Sequence, residues 1–247
     1  MPELFAGLSG QGIRIAVVDS GVHSDHPHIA AGQLLEGVAI SSQGAVAGDD
    51  ADATLDRLGH GTAVIAAIQE KAPAALCLPI RVFHEKLQTT ATALVAAIDW
   101  CIAARVDVIN LSLGTVNEAH RPAFEGVAER ALDAGILLVA ARAANDRLCF
   151  PGSLPQAISV GLDWDCPREA YRMQAEGEER VFLASGHPRP IPGVPQRRNL
   201  YGISFAVANM TGFAARACEQ LGRSAEGRER VSAAGALLEQ RMSVAAV

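Results

Sequence analysis

Three side chains stand in settings that could do nucleophilic and acid–base chemistry. The first is Ser204 in YGISFAVANMTGFAA, residues 201–215. A turn at Gly202 precedes a helix that starts on or just after the serine. From Ala206 the small or apolar positions recur at Met210, Phe213, Ala214, Ala217 and Leu221, a helical stripe. A serine at a helix start meets unpaired backbone N–H groups and the positive dipole end, which favour developing negative charge. Serine is also an ordinary N-cap residue. The second is Asp19, which closes the apolar run IRIAVV and opens Asp19-Ser20-Gly21. It stands where open α/β sheets bind ligands, or simply caps the next turn. The third is His60 in Gly59-His60-Gly61-Thr62, at the start of another helix of small and branched residues. Alone it reads as a base or as a structural residue. His23, His26 and His28 are close in sequence, but no cysteine joins them and Pro27 breaks any helical face, so they read as loop histidines and no metal is assigned.

These residues need a scaffold, and the hydrophobic pattern supplies one. Ile13–Val18 is a continuous β-rich run suited to a strand buried on both faces. Gly44–Leu58 reads as a surface loop. Pro73 ends the helix of His60, and Leu76–Val82 is a strand whose Pro79 implies a bulge or an edge position. Thr89 or Thr92 caps a helix to about Ala104, with Leu94, Ala97, Ile98, Cys101 and Ile102 facing inward. Val106–Leu111 is a strand ending in Ser112-Leu113-Gly114, and Pro122–Ala134 is a helix stopped by Gly135. Ile136–Ala141 is a strand running into Arg142-Ala143-Ala144-Asn145, and Ala157–Gly161 is another. Asp163–Asn199 is charged, Pro-rich and irregular, with one strand at Arg180–Ala184. Arg228–Met242 is an outer amphipathic helix carrying Val231, Ala234, Leu238 and Arg241 on one face. Alternation of strand and helix predicts an α/β fold, a three-layer doubly wound and mostly parallel sheet with helices on both faces.

Composition narrows the class. The 247 residues are 49% hydrophobic and 19% charged, enough for one large core, and are read as a single domain over 1–247. A net charge of −6 without a basic run argues against nucleic acid or an anionic membrane as partner. Five cysteines without a CxxC pair read as buried thiols of a reducing compartment. No signal peptide or membrane-spanning run is visible at the sequence level, so the expected location is cytoplasmic.

Taken in order, Asp19-Ser20-Gly21, His60-Gly61-Thr62 and Gly202-Ile203-Ser204-Phe205-Ala206 resemble the Asp, His and Ser motifs of the subtilisin-like serine proteases, in that family's order. The resemblance runs from about Ile13 to Ala217. It implies Asp19, His60 and Ser204 as the catalytic residues, Asn145 as the side-chain donor to the oxyanion, and Ser112, Leu113 and Gly114 as the segment that pairs with substrate. Asp25 is the alternative carboxylate should Asp19 not orient the histidine. Burial and Asp19 pull the His60 pKa in opposite directions, and an acid limb near the free value of ~6.5 is expected.

The sequence also departs from that pattern. Ile203 stands for the usual Thr, Ala208 for a Pro, and Ala63 and Ala66 for the usual His and Gly, all packing positions. The family's Ala-Gly-Asn has become Arg142-Ala143-Ala144-Asn145, with one residue more. Only Gln69–Ala75 separate the helix of His60 from the next strand, too few for the family's calcium loop, so no cofactor is expected. With no pro-segment before Ile13, the resemblance implies an intracellular peptidase acting on peptides or proteins, and by analogy a ribosomally made precursor peptide. Two other readings stay open: a catalytically weak peptide-binding module on the same fold, and a nucleotide-binding doubly wound protein. The latter is disfavoured because no GxGxxG or P-loop follows a strand.

Overall fold

Along the first strand, β1 (Arg14–Asp19), Ile15 and Val17 belong to one hydrophobic cluster and Ala16 and Val18 to another. All four are buried, so this strand lies between two layers. A computed structural model describes residues 5–48, 52–144, 146–177, 179–222 and 224–242. The other strands of the main sheet are β2 (Val38–Ile40), β3 (Val46–Ala47), β4 (Leu76–Arg81), β5 (Val108–Leu111), β6 (Leu137–Ala141), β9 (Ala157–Leu162), β10 (Tyr171–Glu176) and β11 (Glu179–Ala184). A separate two-stranded hairpin is made of β7 (Ala143–Ala144) and β8 (Arg147–Leu148).

The main sheet has nine strands in the order β10-β11-β9-β6-β5-β1-β4-β2-β3. Its central pairs are parallel, and the antiparallel pairs β10–β11 and β2–β3 stand at the edges. Helices α1 (His60–Lys71), α4 (Ile203–Leu221) and α5 (Gly227–Arg241) share one face with Ile15 and Val17. On the other face, α2 (Ala91–Ala103) and α3 (Arg121–Asp133) pack with Ala16 and Val18. This is the mostly parallel, three-layer α/β arrangement that the alternation predicts. Among the described residues all five cysteines are free and buried, and no helix is long and apolar enough to cross a membrane.

Four local expectations need correction or narrowing. Pro79 lies inside the sheet, because β4 pairs with β1 on one side and β2 on the other. On the β2 side Leu35 N donates to Cys77 O at 2.9 Å and pairing resumes at Val38 with Ile80, so the missing N–H falls in a one-residue irregularity of the ladder, the bulge and not the edge of the sequence reading. The cap of α2 is Thr90, whose Oγ1 accepts from Ala93 N at 3.1 Å, and not Thr89 or Thr92. The Gly44–Leu58 segment is not wholly a surface loop: it forms β3 and buries Ala53 and Asp56. Finally, Asp163–Asn199 contains the β10–β11 hairpin, with Tyr171 fully buried and its hydroxyl donating to Leu238 O of α5 at 2.7 Å.

Candidate active site

Asp19 is the last residue of β1 and is fully buried. A buried carboxylate needs donors, and four converge on it. Ser20 N donates to Oδ1 at 2.7 Å and Ser20 Oγ at 3.2 Å, the Ser112 hydroxyl reaches Oδ2 at 3.4 Å, and His60 Nδ1 lies 2.7 Å from Oδ1. Asp25, the alternative carboxylate, is exposed. The Asp19 contact engages Nδ1 of His60 and leaves Nε2 as the other ring nitrogen.

Close backbone approach brings these two residues together. A Cβ on Gly61 would run into the Gly21 carbonyl, and Gly61 N donates to Ser20 Oγ at 2.8 Å. The first turn of α1 therefore rests directly on the Asp19-Ser20-Gly21 turn. Asp56 anchors the same turn from the other end. Its Oδ1 accepts from Leu58 N at 2.9 Å and Gly59 N at 2.8 Å, and its Oδ2 from Thr62 N at 2.9 Å and Thr62 Oγ1 at 2.6 Å. Burial by itself raises the Asp56 carboxyl, but the Thr62, Leu58 and Ser20 hydrogen bonds outweigh it and hold it below the usual carboxylate range. Sequence reasoning passed over Asp56. The available signal was an acid just ahead of a helix start, where the dipole favours it.

At His60 the same contest goes the other way. Burial lowers its pKa, yet the Asp19 hydrogen bond and the charges of Asp19 and Asp56 raise it above the ordinary 6.5.

Ser204 is the second residue of α4, two positions past the N-cap. The cap is Gly202, at φ 140° and ψ −176°, a conformation that only glycine adopts easily. Ser204 is half-buried, and its neighbour Phe205 places its ring 5.7 Å from the His60 ring. The start of α4 thus packs against the histidine. Among the described residues the Ser204 hydroxyl forms no hydrogen bond, so Asp19 and His60 are joined while His60 and Ser204 are not. Such links are often long in unliganded sites.

Ser112 is buried, Leu113 half-buried and Gly114 exposed, at the end of β5. Among the described residues no backbone hydrogen bond joins Leu113 or Gly114 to another segment, and pairing resumes at Thr115 with Phe150. After β6 the chain enters the β7–β8 hairpin, in which Asp146 has φ 59°. Asn145 lies outside the described residues. Arg142 is turned to an ion pair with Glu179 at 2.6 Å. No group of three or more His, Cys, Asp or Glu among the described residues could hold a metal ion.

The model of the subtilase family matches residues 10–230. The chain belongs to the subtilase family. Among curated proteins, this subtilase is 30% identical over 193 residues to the minor extracellular protease Epr of Bacillus subtilis (strain 168), covering 73% of the chain and 28% of Epr. It is 28% identical over 236 residues to an intracellular serine protease of Paenibacillus polymyxa, covering 85% of the chain and 68% of that protein. Two solved structures share the fold. A cold-adapted subtilisin-like serine proteinase gives a TM-score of 0.68 at 18% identity, covering 96% of this subtilase and 86% of the other. A lanthipeptide protease gives 0.65 at 18% identity, covering 90% and 78%.

Proposed function

We propose that this chain is a serine endopeptidase that hydrolyses peptide bonds through an acyl-enzyme, with Ser204 as nucleophile, His60 as general base and Asp19 as its orienting partner. The observation that carries the reading is the 2.7 Å Asp19–His60 contact beside the start of α4. In this mechanism Ser204 Oγ attacks the scissile carbonyl carbon as its proton passes to His60 Nε2. The imidazolium, stabilised by Asp19, then protonates the leaving amine as the C–N bond breaks. Water repeats the cycle and frees the acid. The Ser204 backbone N–H belongs to the first turn of α4, whose donors have no partner within the helix, and it serves the oxyanion together with the Asn145 side chain. An extended substrate adds its backbone to the Leu113–Gly114 segment.

The role we assign is intracellular processing of a peptide or protein, with a ribosomally made precursor as the preferred substrate class. Similarity to the Paenibacillus intracellular protease and the fold shared with a lanthipeptide protease support it. A second reading, a peptide-binding module of weak activity, draws on the hairpin that follows β6 where the family's oxyanion loop is expected. An activated ester separates the two: an active enzyme releases a burst of leaving group equal to the enzyme present, and a binding module releases none.

A further inference from the structure

Beside the first turn of α1 lies a cavity of about 410 Å³ that shares no residue with Ser112–Gly114. Gly59, Thr62 and Ala63 form one wall, at the helix start that carries His60. Arg189, Arg198 and Leu200 form another, from the run that leads into Ser204. The cavity therefore lies between the start of α1 and the run that precedes α4. The wall is built rather than loose. Arg189 Nη1 donates to His28 O at 3.1 Å, Asn199 Nδ2 to Arg189 O at 3.3 Å, and Gly202 N to Gly186 O at 2.9 Å.

The charge of the cavity is unbalanced. Among the described residues neither Arg189 nor Arg198 has a carboxylate within ion-pair distance. The carboxylate in the lining, Asp56, is committed to Leu58, Gly59 and Thr62. Glu70, nearby, is taken by Lys71 and Arg168. His28 reports the resulting potential: burial, then the Arg189 and His26 charges, hold its pKa below 6.5 against the pull of Glu70.

We propose that this cavity is a subsite for an acidic substrate residue, on the far side of the scissile bond from the residues that pair with Ser112–Gly114, and that Arg189 and Arg198 are its charge partners. The proposal rests on the peptidase reading of Ser204 and His60. Its test uses the Ser204→Ala chain, which cannot turn over, and fluorescent alanine-rich peptides with one Glu, Gln or Lys scanned along them. At one register the Glu peptide binds about tenfold tighter than its Gln twin, the size of one charge-assisted hydrogen bond. Adding Arg198→Gln erases that preference, while adding Arg121→Gln, a charge lost on α3, keeps it. Glu peptides that bind no better than Gln peptides at every register overturn the proposal, as does a preference indifferent to Arg198. Labelling of Ser204 by a fluorophosphonate in the unsubstituted chain reports separately on the peptidase reading.

Discussion

His60 is where burial and charge compete most directly, and the sequence alone left that contest open. The structure resolves it: one Asp19 oxygen at 2.7 Å, with Asp56 adding to the field, outweighs the loss of solvent. A base must be neutral to take a proton, so activity falls as pH drops through the raised value. The acid limb of kcat/KM therefore lies above the ordinary 6.5. Asp19→Asn removes the charge and puts an NH2 donor where one carboxylate oxygen accepted, moving the limb down and lowering kcat by roughly 10⁴ through the wrong tautomer. A pH–rate profile of both proteins checks this, and an unmoved limb would contradict it. The same scale carries the oxyanion assignment. Arg142 is spent on Glu179, so Arg142→Ala leaves kcat nearly unchanged. Asn145→Ala, if that side chain is the donor, lowers kcat by roughly 10²–10³ with little change in KM. Steady-state kinetics of the two variants decide, and the reverse pattern transfers the role away from Asn145.

Among the elements, α1 shows what a sequence discloses and what it hides. Its start at His60 was legible from the glycines on either side. Its anchor was not, because Asp56 sits in a run of small and acidic residues that reads as solvent-facing, and only tertiary contact buries it. Removing that side chain strands Thr62 N and Oγ1, so Asp56→Ala costs about 1–3 kcal/mol and loosens the first turn under His60. The sign of its pH dependence follows from the lowered pKa. The stabilisation is fully present above the unfolded value, 3.8, and is lost as pH falls through the lower folded value. Urea midpoints along an acid series therefore converge for Asp56→Ala and the unsubstituted chain, and parallel curves would refute the anchor. One strand and one proline are hard to read for similar reasons. β10 reads YRMQAE, polar and charged, because it is an edge strand with pairing on one side only. Pro79 reads as a bulge or an edge because pattern alone cannot tell an outer strand from a ladder interrupted between Cys77 and Ile80.

For the whole molecule, strand–helix alternation is enough to anticipate a mostly parallel sheet, and the apolar run before Asp19 is enough to place that residue at a strand's carboxyl end. That works because both are properties of the chain's order: each parallel crossover needs its helix, and each strand end delivers one residue. Distances between those ends are not encoded so openly, and the cationic cavity beside α1 came from three segments far apart in sequence. The central claim is that those strand and helix ends deliver one reactive serine. Treating the folded chain with a fluorophosphonate, then mapping the adduct by peptide mass spectrometry, tests it most directly. One adduct per chain is expected, on Ser204, and it is lost in His60→Ala. An adduct on Ser20 or Ser112 instead, or labelling of Ser204 that persists without His60, would contradict it.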